Sequence, residues 1–144
     1  MMRGERGQSL IEFALVLPVL VIVLVGVFDL GRAVMLSETL NNAVREGARH
    51  AIVHGTTSSS PLGPATLTTP PAADNTATAE VRRHATGINS SITIVMSWPD
   101  GNANKGSEVQ IIATTLFIPI LSQVFTGGGI AVTLRSGTTM VIQQ

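Results

Sequence analysis

Between Phe13 and Phe28 the chain runs for sixteen residues without a charge, mostly Val and Leu, and Leu10 and Ile11 extend the apolar stretch upstream past Glu12. At about 1.5 Å per helical residue this run covers about 24 to 28 Å of a hydrocarbon core about 30 Å thick. Slight bilayer thinning or flanking side chains close the gap. A secretory signal would be followed by a small-residue cleavage site. Here Asp29-Leu30-Gly31-Arg32 follows instead, so the run reads as a retained transmembrane helix. Arg3 and Arg6 precede it, and the positive-inside rule then puts the N-terminus in the cytoplasm and everything beyond Asp29 outside. Pro18 cannot donate to the carbonyl of Ala14, so a kink or loosening is expected there, which membrane helices tolerate.

Past the span, the apolar period of a helix continues. Ala33, Leu36, Leu40, Ala43, Val44, Gly47, Ala48 and Ala51 fall within an arc of about 140°, opposite Glu38, Asn42, Arg45, Glu46 and Arg49. This stripe predicts a helix of about 70 Å from Gln8 to His54, its second half packed on the chain's own head. Its small residues allow close approach to a sheet, whereas a coiled-coil seam of so much Ala and Gly would bury little. Glu46, His50 and His54 share one helix edge at a spacing of four, which can suit a transition metal. No further ligand accompanies them, and the expectation is an exposed edge with no metal site and no cofactor.

Residues 55–74, rich in Ser, Thr and Pro, read as a loop. Asp74 is placed to cap a short helix over Thr76–Ala85, ended by Gly87 and closed by Arg82, Arg83 and His84 in its last turn. The period then changes to alternation. Ile92, Ile94, Met96 and Trp98 form one face of a strand, and Pro99-Asp100-Gly101-Asn102 opens a turn region reaching Gly106. Val109, Ile111 and Ala113 line the return strand, while Ile112, Leu116 and Phe117 suggest that its second face is partly covered. Pro119 to Phe125 reads as a short helical or irregular apolar segment before Gly127-Gly128-Gly129. A third strand spans Ile130 to Leu134 and Thr138 to Ile142, with Arg135 to Gly137 as a bulge or turn. The fold class is therefore α+β: a long N-terminal helix on a small antiparallel sheet of about three strands, the head comprising residues 75–144.

Nine basic and nine acidic residues leave no field to attract a polyanion, and two adjacent arginines are no nucleic-acid footprint. With no cysteine, no serine-centred elbow and no dense acid cluster, neither an enzyme nor a small-molecule substrate site is indicated.

The leader around Gly7-Gln8-Ser9-Leu10-Ile11-Glu12-Phe13-Ala14, then Phe28-Asp29-Leu30-Gly31-Arg32 and Ala43-Val44-Arg45-Glu46-Gly47-Ala48-Arg49, resembles the TadE-like family. Its members are minor pilins or pseudopilins of the tight-adherence (Tad, Flp) pilus system. The resemblance implies a pilin-like fold and a leader, residues 1–7, removed after Gly7 by a prepilin peptidase. It also implies a transmembrane helix over 8–30, a continuing helix over 31–54, and a single-pass protein of the bacterial inner membrane whose head is extracytoplasmic. The partners implied are that peptidase, other Tad pilins and the inner-membrane assembly platform. Under this reading Glu12 and Phe13 become the fifth and sixth mature residues. A carboxylate within a membrane helix costs about 2.5 to 3.5 kcal/mol at the centre, and the new α-amino group on Gln8, or that of a neighbouring subunit, would give it a partner and set axial register. The other reading leaves Glu12 at the headgroup level with no partner. The alternative function is a permanently anchored extracytoplasmic protein-binding module.

Overall fold

The computed structural model describes residues 4–64, 66–69, 75–88, 92–127 and 129–144. Its elements are α1 (Gly4–Ile52), β1 (Leu67–Thr69), α2 (Thr76–His84), β2 (Thr93–Ser97), β3 (Glu108–Phe117), α3 (Ile120–Thr126) and β4 (Val132–Val141). They fall into two compact units, one containing α1 up to Ala33 together with Ile118–Ala131, the other Val34–Phe117 with Val132–Gln144.

In the first unit, α1 is apolar all round. Leu10, Phe13, Leu15, Val19, Leu24 and Phe28 are each at least 60% exposed. Among the described residues it is the one helix long and apolar enough to cross a membrane. A helix that is hydrophobic on every side is stable only when covered, by a bilayer or by other protein surface. The helix continues through Pro18, so the missing donor is absorbed without ending it. Ile118–Ala131 groups with this unit, α3 forming where a short helical or irregular segment was expected; Ile130 and Ala131, expected to open the third strand, precede β4, which starts at Val132.

The second unit is helix on sheet. The strands lie in the order β1-β2-β3-β4, all neighbours antiparallel. Three of them match the expected sheet. The fourth, β1, lies in the segment expected to be loop, where Leu67–Thr69 pairs with Ile94–Met96 of β2. Alternation sets the inward face: Ile92, Ile94, Met96 and Trp98 from one strand, and Val109, Ile111 and Ala113 from the next, are buried. On β3 the same alternation carries on through Thr115 and Phe117, both buried, and leaves Leu116 exposed. Phe117 therefore belongs to the first face and not to a covered second one.

The bulge expected at Arg135 to Gly137 is absent. β4 pairs without interruption, Thr114 with Arg135, Ala113 with Ser136 and Ile112 with Gly137. Nearly continuous ladder hydrogen bonding outweighs the roughly 1 kcal/mol that glycine costs inside a strand.

Over this sheet, the second half of α1 buries Leu40, Ala43, Val44, Ala48 and Ala51, in one core with Val81, Ile94, Met96, Val109, Ile111 and Ile142; Leu36 packs at its margin. The predicted stripe is thus the packing face. At Gly47, however, the close neighbour is α2 rather than a strand. A Cβ there would overlap Val81 Cγ2 and lie 3.0 Å from the Ala77 carbonyl oxygen. The helix ends at Ile52, and the chain's last residues seal that end, Gln143 N–H donating to the Ile52 carbonyl at 2.9 Å. At Gly55 a Cβ would overlap the Gln144 carbonyl oxygen, so only glycine passes beneath this closure.

α2 starts where expected but is capped by Asn75, which accepts from Thr78 N–H at 2.8 Å while Thr78 Oγ1 accepts from Asn75 N–H at 2.9 Å. Asp74, the expected cap, lies outside the described residues. The helix closes at Ala85 rather than at Gly87, which supplies the positive φ of the turn that follows.

Candidate membrane and assembly surface

The Gly7 to Phe13 segment is continuous helix within α1. Gly7, Gln8 and Glu12 are exposed, and Phe13 is 62% exposed. Gln8 and Glu12 are one turn apart, so their side chains project from the same face. Nothing approaches Gly7 within 4 Å of a notional Cβ.

Further along the same unit, Asp29 departs from its surroundings. It is 5% exposed in a helix half that is otherwise open. Its Oδ2 accepts from Leu121 N–H at 2.9 Å, and its Oδ1 lies 3.6 Å from Arg32 Nη1. The acceptor satisfies one of the orphan donors in the first turn of α3, the role an N-cap side chain plays. Pro119, the residue at the N-cap position itself, has no side chain able to do so. A carboxylate read from sequence as the outer edge of the span thus fixes a segment 92 residues away. The available signal was a single acid directly after the apolar run with Arg32 three residues on, but its partner is nonlocal.

Within the second unit, the Arg45-Glu46-Gly47-Ala48-Arg49 motif divides by face. Gly47 and Ala48 are buried, and Arg45 and Arg49 are exposed. Arg49 Nη1 meets Glu46 Oε2 at 3.3 Å, and Arg45 Nη2 donates to Asn42 Oδ1 at 3.4 Å. Such exposed pairs stabilise by a few tenths of a kcal/mol to about 1 kcal/mol. The motif's energetic weight therefore sits in its two small residues, which let α2 approach. Its charged edge and His84 line one shallow polar groove.

The His50 and His54 rings stack with centroids 4.2 Å apart, and His54 Nδ1 is 2.7 Å from the His50 carbonyl oxygen. No group of three or more His, Asp, Glu or Cys placed to hold a metal occurs among the described residues. His50 Nε2 is buried with no hydrogen-bond partner. Burial, reinforced by the neighbouring His54, holds the His50 pKa below its ordinary value of 6.5; Glu80 acts the other way and Arg83 adds to the depression. A second polar tie missed in the sequence is Ser136 Oγ of β4 donating to Asn41 Oδ1 of α1.

A long helix whose first half is apolar enough to cross a membrane and whose second half packs on an antiparallel sheet defines an α+β protein compatible with single-pass membrane anchoring. Residues 7–49 match the family model described as TadE-like protein, the family that the motifs of this segment resemble. The match begins at Gly7, covers α1 almost to its end and stops at Arg49, the last residue of the Arg45–Arg49 motif. No curated protein and no solved structure gives a match.

Proposed function

We propose that this chain is a minor pilin or pseudopilin that takes part in assembling Tad/Flp-type adhesion pili from the bacterial inner membrane. The observation that carries this reading is the TadE-like match over residues 7–49, which begins at the leader glycine and includes the whole apolar span. Prepilin peptidase adds water across the Gly7–Gln8 peptide bond on the cytoplasmic side, leaving a carboxylate on Gly7 and a new α-amino group on Gln8. That amine, or the one on an adjacent subunit, pairs with Glu12 and sets the stagger between helices, because a charge inside hydrocarbon is stable only beside its partner. Phe13 and the exposed apolar residues after it supply the surface on which neighbouring pilin helices pack. The head contributes shape and stability, and no residue in it is assigned catalysis.

The test has two arms. Intact-mass analysis of protein from cells reads the N-terminus, and a mature chain starting at Gln8 is expected; a chain retaining its leader overturns the processing step. Fractionation reads the destination. Co-isolation with sheared pili or with the assembly platform is expected, whereas a processed or unprocessed chain found in neither supports a permanently anchored protein-binding module.

A further inference from the structure

The segment between β3 and β4 has features that the pilin reading leaves unused. From Val109 to Leu134 the sequence contains no charged residue. Within it, Val124 is 73% exposed, Phe125 64% and Ile130 62%, and α3 has no buried residue. Yet its polar groups are largely consumed internally. Ser122 Oγ donates to the Pro119 carbonyl at 2.8 Å and accepts from Ile130 N–H at 3.0 Å; Thr126 Oγ1 donates to the Ser122 carbonyl at 2.7 Å and accepts from Gly129 N–H at 3.1 Å. Gly127, in the left-handed conformation, closes α3 through its N–H to the Gln123 carbonyl at 3.1 Å. A surface meant for water gains little from such self-satisfaction; a surface meant for low dielectric requires it.

Position selects the solvent. The Leu121 amide is held by Asp29, the residue directly after Phe28 at the end of the apolar run, and both belong to the same compact unit. The start of α3 is therefore fixed at the depth where the span leaves the hydrocarbon. We propose that α3 and the turn after it form a second membrane contact, with Val124, Phe125 and Ile130 inserted into the headgroup and acyl boundary beside the outer end of the span. Insertion is shallow, about 5–10 Å, as for interfacial helices. The contact limits the rotation of α1 in the bilayer, and withdrawing the span requires withdrawing α3 with it. It rests on the bilayer-spanning reading of α1 and is independent of whether the chain enters a pilus.

The natural sequence contains no cysteine, so single labels can be placed in the full chain. Val124→Cys and Phe125→Cys, each carrying an environment-sensitive fluorophore, are reconstituted in vesicles of phosphatidylethanolamine and phosphatidylglycerol, with and without nitroxides on the acyl chains. Leu20→Cys reports the span and Lys105→Cys the aqueous head. Blue-shifted emission and loss of intensity to acyl-chain nitroxides are expected at 20, 124 and 125, unchanged as protein is diluted in lipid, with neither effect at 105. Insertion at 20 while labels at 124 and 125 respond only to an aqueous quencher overturns the second contact alone. Labels at 124 and 125 that are shielded from water, blind to the nitroxides and sensitive to dilution assign the patch to another copy of the chain and also overturn it. No lipid quenching at 20 overturns the anchor and the contact together.

Discussion

Gly47→Ala tests whether α2 is held as close to α1 as the small-residue motif implies. In an exposed helix interior this substitution stabilises by about 1 kcal/mol, because alanine is the better helix former. Here the added Cβ overlaps Val81 Cγ2, with Val81 Cβ at 3.5 Å and the Ala77 carbonyl oxygen at 3.0 Å. Neither neighbour yields cheaply. Val81 is β-branched, fully buried and restricted at χ1 within α2, and the other atom is backbone. Relief therefore means retreat of α2, and a gap of 0.5 to 1 Å forfeits about a quarter to a half of each dispersion contact across it. Overpacking of this kind costs about 1–3 kcal/mol. With both contacts rigid, the upper half of that range applies, and after the helix-propensity gain a net loss of about 1–2 kcal/mol is expected. For a unit of this size that lowers Tm by about 4–8 °C per kcal/mol. Trp98, the single tryptophan, is 7% exposed within the same unit and reports its unfolding by fluorescence in detergent-solubilised full chain. The sign is diagnostic. In a Val81→Ala background the overlap disappears and Gly47→Ala should turn neutral or stabilising, a coupling that a double-mutant cycle reads directly. A Tm that rises when Gly47→Ala is made in the natural sequence refutes the close approach.

Asp29→Ala removes the acceptor for Leu121 N–H, so hydrogen exchange at Leu121 should accelerate while Tm read by Trp98 holds; unchanged exchange sinks the tether. Glu12→Ala should leave cleavage after Gly7 intact and reduce incorporation into pili, and normal incorporation removes the register role. Asn75→Ala breaks the capping box of α2 and should lower stability by about 1 kcal/mol in urea unfolding, whereas Asn75→Ser should keep most of it. Because His50 has a lowered folded pKa, the unfolded chain takes up its proton first as pH falls. Its contribution is complete above about 6.5 and diminishes as pH falls from there through the folded pKa, and replacing it with Gln should flatten that part of the stability profile. A slope that persists unchanged assigns the dependence elsewhere.

Much of this architecture is legible because two periodicities write it into the sequence. Leu40, Val44, Ala48 and Ala51 recur as a helix face, and Ile92 to Trp98 alternate as a strand, so burial follows spacing. β1 escapes because three residues carry no period and Pro-rich neighbours argue for loop; only pairing with Ile94–Met96 makes it a strand. Ser136-Gly137 carries a turn signal that the β3 ladder overrides, and Asn41 gives no hint of Ser136 because the two meet only after folding. Asp29 was legible as a boundary but not as a tether. Its partner is a backbone amide, which no side-chain pattern announces.

The distribution of exposed apolar surface explains why the first unit needs an environment and the second does not. Among the described large apolar residues that are more than 55% exposed, all but Val34, Met35 and Leu116 belong to α1 up to Leu30 or to the segment around α3. The second unit closes its own core, with Leu40, Val44, Met96, Ile111 and Ile142 sealed between helices and sheet. Water therefore suffices as its solvent. The first unit closes almost nothing except Asp29, and each exposed Leu, Val or Phe leaves about 1.5–3 kcal/mol of burial unrealised until lipid or a neighbouring helix covers it. On the proposed pilin reading a bilayer would supply that cover for a single copy and packed helices would supply it in a filament, so exchanging one for the other would be close to neutral for the apolar residues. Charge decides between them: Glu12, exposed in the isolated chain, is costly beside lipid and stable beside an amine. On the pilin reading proposed above, the apolar run would make that transfer possible and the carboxylate of Glu12 would give it direction.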